Sequence, residues 1–227
     1  MNRSLDLELD NSQYADRADT ASLSITGDLT IECWIKPKST GTLHSLFAKW
    51  DTTGNLRSYR FLHVSATRLQ FQVSVDGTTP SGSGQSNTDI PTGVWAHVAV
   101  SYNAAVGTCI FYLNGVVDGT ASSFANSIQD NASKSAIGCS DAGGTPTDFL
   151  DGLIDEVRIW NVERTAAQIL ANYNKELLGN ESGLAAYYKF NSSYGDYTTN
   201  GNNLTAVAGT VFSTDTPFAV GEAAFII

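Results

Sequence analysis

Alternating apolar and polar residues along most of the chain predict short β-strands. Leu5, Leu7 and Leu9 alternate with polar residues over 4–9, which is the period of a strand with one buried face. Similar segments bounded by Gly, Asn, Asp, Ser or Pro predict further strands at 29–35, 43–50, 58–64, 69–75, 94–102, 108–113, 151–161 and 183–190. This pattern is typical of an all-β sandwich or jelly roll.

Local signals predict how some of these strands are connected. The dipeptide Asn114-Gly115 favours a tight hairpin turn, because both residues tolerate positive φ. Thr165, with Gln168 three residues later, matches a capping box and predicts one short helix. Segments 78–88 and 140–148 are rich in Gly and polar residues and are predicted to be surface loops. With no internal repeat or linker, we predict a single domain over 1–227.

Composition limits the classes of partner. The chain has 23 acidic and 13 basic residues and a net charge of -10, which disfavours nucleic acid and anionic membranes. No apolar run approaches the ~18 residues of a membrane span, and the first residues lack the apolar region of a secretory signal. Cys33, Cys109 and Cys139 lack zinc-binding spacing and are predicted to be buried apolar residues.

The segment 151–161 contains an acidic residue that needs an explanation. Strict alternation would place Leu153, Asp155, Val157 and Ile159 on one face of a strand. Asp155 would then be a single carboxylate among aliphatic side chains. Burial of such a charge is costly unless it is hydrogen-bonded, paired or bound to a cation.

Several segments, in order, resemble the laminin G-like domains of the concanavalin A-like lectin/glucanase superfamily. They are residues 4–7, 25–37, 48–51, 93–102, 111–115 and 151–161. The resemblance covers about 4–173, and 183–227 looks like the C-terminal extension with a further strand that some members have. It implies a jelly roll of two curved antiparallel sheets with one short helix.

The resemblance also implies recognition of glycans or other surfaces outside the cell, with a calcium ion near the rim. The residues that correspond to calcium ligands are Asp155 and the turn residues Asp10 and Asn11, and Asp28 is expected at the same end of the sandwich. Calcium requires about six to eight oxygen ligands. The alternative interpretation is that Asp155 accepts backbone N–H bonds and that Asp10 and Asp28 only terminate strands.

Related laminarinase-type glucanases have the same fold, so catalysis is an alternative. Their catalytic strand has a Glu-x-Asp-x-Glu arrangement, whereas 6–10 in this chain has a different order and lies on the first strand. Glu32 and Glu156 are each isolated in the sequence, and His97 is expected to be a hydrogen-bonded core histidine. We therefore predict that the protein is not an enzyme.

Aromatic side chains outside the predicted core are candidates for stacking on sugars. Trp50 with Asp51 stands at a strand end, and Tyr194 and Tyr197 lie in a polar segment. These four residues are the predicted ligand contacts, although packing or a plain surface position is an alternative for each.

Two functional hypotheses follow. The first is a non-enzymatic module that binds glycans or glycosylated surfaces with calcium. The second is a structural, attachment or decoration protein of a virus particle or cell surface, which assembles without binding sugar. Residues 223–227 are apolar and either pack on the chain's own sheet, which we favour, or make homo-oligomer or partner contacts. Either hypothesis places the protein outside the cell, on its surface or in a virion.

Overall fold

A computed structural model describes residues 2–64, 68–82 and 84–218 and contains two antiparallel sheets. The one α-helix in the described residues is α1 (Ala166–Asn172), and no helix there is long and apolar enough to cross a membrane. The strands are β1 (Ser4–Leu7), β2 (Tyr14–Arg17), β3 (Leu29–Pro37), β4 (His44–Asp51), β5 (Leu56–His63), β6 (Leu69–Val73), β7 (Ala96–Asn103), β8 (Thr108–Leu113), β9 (Val116–Ala121), β10 (Ser135–Ile137), β11 (Gly152–Trp160), β12 (Leu184–Tyr188), β13 (Thr205–Val207) and β14 (Val211–Ser213).

The two sheets enclose one main hydrophobic core, as expected for the predicted jelly-roll sandwich. The eight-stranded sheet has the order β14-β1-β11-β3-β7-β8-β9, and β12 pairs with β11 beside β1. The six-stranded sheet has the order β13-β2-β10-β4-β5-β6. Leucines of β1 and aromatic side chains of β4, β5 and β6 belong to the same buried cluster, so the inner faces of the sheets pack together. The prediction of fold class is confirmed.

Local sequence signals correspond to the observed connections. Asn114 and Gly115 both have positive φ, at 50° and 78°, and join β8 to β9 as the predicted hairpin turn. Thr165 and Gln168 form the predicted capping box at the start of α1. All three cysteines are buried and free. Residues 223–227 lie outside the described residues.

The prediction for the two faces of β11 is wrong, because the strand contains a β-bulge. Asp155 lies opposite Trp34 of β3 and Arg158 lies opposite Glu32, so two residues of β11 face one residue of β3. Glu156 takes the left-handed conformation, with φ of 53°. The extra residue reverses the alternation, so Asp155 lies on the outer face whereas Val157 and Ile159 enter the core with Ile154.

Candidate functional site

The outer faces of the two sheets differ in what covers them. Against the eight-stranded sheet lie α1 and the residues that follow it, and the Trp34 indole N–H donates to the Tyr173 carbonyl at 2.8 Å. Ile169 of α1 packs on Ala99 and Tyr112 of the same sheet. Within the described ranges, no helix covers the outer face of the six-stranded sheet, but the loop 140–149 packs on the part of this face formed by β2 and β10. The part formed by β5 and β6, where Arg60 and Gln72 are partly exposed, is the open face to which a ligand has access.

Arg60 lies in the middle of β5 on the open face, and neighbouring side chains hold its guanidinium. Its neighbours on β5, Tyr59 and Phe61, enter the core, so alternation directs Arg60 outward. Nε donates to Gln72 Oε1 at 2.8 Å, and Nη1 donates to Asp148 Oδ2 at 3.0 Å. A longer bond of 3.4 Å joins Nη1 to Ser140 Oγ. Three elements, β5, β6 and the loop 140–148, therefore fix this one side chain.

Trp50 lies under the same guanidinium, and the arrangement leaves one donor group for a ligand. The Arg60 Cζ is 4.7 Å from the centroid of the Trp50 ring, a cation–π distance. Burial lowers the pKa of Arg60 and the charge of Asp148 opposes that effect, and a guanidinium stays protonated. No described residue accepts a hydrogen bond from Nη2, and the side chain is 15% exposed. Arg60 can therefore donate to an acceptor oxygen in solution.

The structure corrects the interpretation of Trp50 and Asp51 as exposed ligand contacts. Trp50 is 2% exposed and Asp51 is 3% exposed. Asp51 Oδ1 accepts the Thr53 N–H at 2.8 Å, and a Cβ at Gly143 would lie only 2.5 Å from Asp51 Oδ2. The loop 140–148 covers this strand end, which the sequence did not indicate because the two segments are far apart in the chain.

Tyr194 and Tyr197 occupy different surroundings. The Tyr194 ring lies 4.8 Å from that of Phe212, and its hydroxyl contacts Thr210, so Tyr194 packs against the C-terminal segment. Tyr197 is 42% exposed, and the ammonium group of Lys189 lies 4.8 Å from its ring centroid. Of the four predicted contacts, Tyr197 is the one with a largely accessible ring, and it remains a prediction.

The four predicted calcium ligands are not brought together. Asp10 and Asn11 follow the end of β1 that lies opposite Gly152, whereas Asp28 precedes the end of β3 that lies opposite Trp160. Asp10 and Asp28 therefore lie near opposite ends of β11, with Asp155 between them. Asp28 Oδ1 accepts the Ala104 N–H at 2.9 Å. In the described part of the chain, no group of three or more His, Cys, Asp or Glu residues is arranged to hold a metal ion. The predicted set does not fit one calcium ion.

Asp155 accepts a backbone hydrogen bond, as in the alternative interpretation that does not involve calcium. Its Oδ1 accepts the N–H of Glu156 at 2.8 Å, and the residue is 4% exposed. Burial raises the pKa of the Asp155 carboxyl well above its ordinary value, and the charges of Glu156 and Glu176 add to this effect. The hydrogen bond and Arg158 oppose it.

We predict that Asp155→Asn stabilises the protein at neutral pH. The pKa of Asp155 is higher in the folded protein than in the unfolded protein, where it is about 3.9. The stability that this carboxyl group contributes is therefore fully present below about pH 3.9 and is lost as pH rises through the folded-state pKa. Asn does not titrate, so the advantage of the variant should widen from pH 4 to pH 8 in urea denaturation. The measurement is made with calcium and with chelator. A variant less stable only when calcium is present would instead identify Asp155 as a calcium ligand.

Glu32 and Glu156, isolated in the sequence, share one cation in the structure. Arg158 Nη2 donates to Glu156 Oε2 at 2.7 Å, and Arg158 Nη1 lies 3.8 Å from Glu32 Oε1. Glu32 also accepts from the Trp160 indole N–H at 2.9 Å and contacts His97 Nε2 at 3.1 Å. This contact agrees with the prediction of a hydrogen-bonded core histidine.

This cluster of Glu32, His97, Glu156, Arg158 and Trp160 lies between the eight-stranded sheet and the segment after α1. Arg158 also donates to the carbonyl of Lys175 at 2.6 Å. Burial raises the pKa of Glu32, but Arg158 and the bonds from His97 and Trp160 lower it to about 2. Glu32 is 0% exposed, so a polysaccharide cannot reach its carboxylate without displacement of the cover.

Comparison by sequence identifies one family. Residues 9–170 match a laminin G family model described as the concanavalin A-like lectin/glucanases superfamily. Among curated proteins, none matches the sequence significantly.

Solved structures with the same fold include proteins that are described as carbohydrate-binding. A Bacteroides ovatus protein with a proposed carbohydrate-binding role has a TM-score of 0.74 and 20% identity over 96% of this chain, which spans 62% of that protein. A heptameric pentraxin from Limulus polyphemus has a TM-score of 0.68 and 14% identity, with 93% of this chain and 94% of that chain covered. The CBM40 of a Ruminococcus gnavus sialidase, solved with sialyllactose, has a TM-score of 0.59 and 15% identity over 75% of this chain and 96% of that chain.

Proposed function

Since this chain belongs to the concanavalin A-like lectin/glucanases superfamily, we propose that it is a carbohydrate-binding module that does not cleave its ligand. The observation on which the proposal rests is the fixed guanidinium of Arg60 on the open face of the six-stranded sheet, with Nη2 left to donate. Strand residues position such a group more rigidly than loop residues do, which reduces the entropy lost on binding. The carbohydrate-binding descriptions of two of the similar structures support this choice of ligand.

Arg60, Gln72 and Asp148 together offer a donor and acceptors of the kind that sugar hydroxyl groups require. Asp148 Oδ2 is occupied by Arg60, while the carboxylate has further lone pairs for a ligand hydroxyl. A non-catalytic role is supported by the burial of Glu32 and Glu156, because neither carboxylate reaches this face. A module of this kind acts outside the cell or on its surface.

The experiment that tests this proposal is a glycan-array screen of the purified chain. We expect saturable binding to one group of glycans, and the group that binds defines the specificity. Failure of a protein with native circular dichroism to bind any glycan, with and without calcium, would contradict the proposal. Running the array in calcium and in chelator also tests the calcium expectation separately, since the contacts of Arg60 need no ion.

One observation favours the assembly hypothesis as a second candidate. Strand β9 lies at the edge of the eight-stranded sheet, and its residues Val116 and Val117 are 62% and 49% exposed. Asn87 N–H donates to the Asp118 carbonyl of this strand at 2.8 Å, so the edge is partly covered, and the exposed valines are the part on which a second chain can pack. Sedimentation equilibrium of wild type and of Val117→Lys tests it: a stable oligomer that the variant dissociates would support assembly, and a monomeric wild type would exclude this route.

A further inference from the structure

A second polar recess lies away from the open sheet face, where the chain crosses from one sheet to the other. The segment 21–28 connects β2 to β3, and with Asn161 after β11 it lines a cavity of about 280 Å³ that is open to solvent on one side. Hydroxyl, amide and carboxylate groups line it, with Ala21 contributing apolar surface. Its lining residues are Ala21, Ser22, Ser24, Ile25, Thr26, Gly27, Asp28 and Asn161. Its volume lies just below the usual range of small-molecule sites, about 300–1,000 Å³, so it suits one small ligand.

The walls of this cavity are fixed by hydrogen bonds from distant parts of the chain. Ser22 Oγ exchanges bonds of 3.1 and 3.0 Å with the side-chain amide of Asn202, which is 0% exposed. Ser24 Oγ donates to Asp19 Oδ1 at 3.2 Å. Asp28 Oδ1 accepts the backbone N–H of Ala104 at 2.9 Å, which leaves Oδ2 for another donor. The polar groups are therefore positioned before any ligand binds, which lowers the entropic cost of binding.

The chemistry of the lining indicates the class of ligand. Ser and Thr hydroxyl groups and the Asn161 amide both donate and accept, as the adjacent hydroxyl groups of a sugar do. Asp28 is the one charged residue in the lining, so an anionic ligand would meet an unopposed carboxylate. The exposed Ala21 methyl group offers a small apolar surface for the C–H side of a ring.

We propose that the cavity formed by residues 21–28 and Asn161 is a second carbohydrate site, which accepts one neutral monosaccharide unit. It is independent of the proposed function at Arg60, because none of the residues that hold Arg60 lines the cavity. Two sites on one chain would let it contact two sugar units of a branched or long glycan, which raises the overall affinity through effective concentration.

Gly27 allows the cavity to be blocked with little disturbance of the backbone. A Cβ placed on Gly27 would meet no heavy atom within 4 Å, and no left-handed φ is recorded for this residue. We therefore expect Gly27→Phe to fold and to obstruct the cavity, whereas the matched variant Gly27→Ala should leave it open. Arg60→Ala provides a background in which the sheet-face site is removed.

The test is a titration of the protein with glucose, galactose, mannose and N-acetylglucosamine, followed by NMR through the amide chemical shifts. Glucuronate, the acidic analogue of glucose, is titrated in the same way. We expect saturable shifts in the amides of 21–28 and 161 for at least one neutral sugar, with Kd on the order of 1 mM. They should persist in Arg60→Ala and Gly27→Ala, and Gly27→Phe should weaken them about tenfold or more. Glucuronate should bind more weakly than glucose.

Each other outcome overturns the inference. No saturable shift in these amides of wild type with any of the neutral sugars excludes the site, whatever the variants do. Shifts confined to residues around Arg60 exclude it and leave the proposed function intact. Equal binding by Gly27→Phe, or tighter binding of glucuronate, shows that the contacts lie outside this cavity. The glycan array and the Arg60 variant decide the proposed function separately.

Discussion

Arg158→Ala is expected to reduce the free energy of unfolding by about 3–5 kcal/mol. The guanidinium is 1% exposed and lies between two buried carboxylates, so its removal leaves Glu32 and Glu156 without their shared cation. Urea denaturation monitored by tryptophan fluorescence measures the loss. The control is Arg68→Ala, which removes an exposed ion pair with Asp89 at 3.1 Å and should cost about 0–1 kcal/mol.

The same variant should alter the response to acid. The pKa of Glu32 is lowered to about 2 in the folded protein. The contribution of this carboxylate to stability is therefore present at pH values above its unfolded-state pKa and is lost as pH falls toward about 2. Without Arg158 this pKa rises, because burial is no longer opposed by the nearest positive charge. The stability of the variant should therefore be lost at a higher pH than that of wild type. Arg158→Ala and Arg68→Ala with equal stability would contradict this account of the buried cluster.

Arg60→Ala is expected to weaken binding of the glycan found on the array by about 10- to 100-fold, which is the range for hydrogen bonds made by a charged donor. Arg60→Lys should also bind weakly, because an ammonium group lacks the planar fork that Gln72 and Asp148 hold. Isothermal titration calorimetry measures both. Arg68→Ala removes the same charge elsewhere and should bind as wild type does. Equal affinity of Arg60→Ala and wild type would place the ligand elsewhere.

The strands and the helix could be predicted because their signals are local. Leucine alternation in β1, the Asn114-Gly115 turn and the Thr165 capping box depend on neighbouring residues. Each occurs in the structure, although β1 ends at Leu7 and Leu9 begins a 3-10 helix instead of extending the strand. Strands β2, β10, β13 and β14 were not predicted. They are three or four residues long, and alternation over so few positions cannot be distinguished from a loop.

The candidate site could not be predicted because it depends on contacts between distant segments. The burial of Trp50 follows from the loop 140–148, and the position of Arg60 depends on Gln72 and Asp148. Glu156 has positive φ at the bulge. In a sequence, a glycine is the usual indication of such a conformation, and this position has none. A strand with strict alternation was the simplest prediction, and the extra residue moved Asp155 to the outer face.

The measurement that tests the central claim most directly is an NMR map of the bound glycan. Amide shifts of the labelled protein are followed during titration with the best ligand from the array. The account predicts that the largest saturable shifts fall on β5, β6 and the loop 140–148, around Arg60. Saturable binding with no shifts around Arg60, and with shifts confined to other surfaces, would contradict the claim that the open sheet binds carbohydrate.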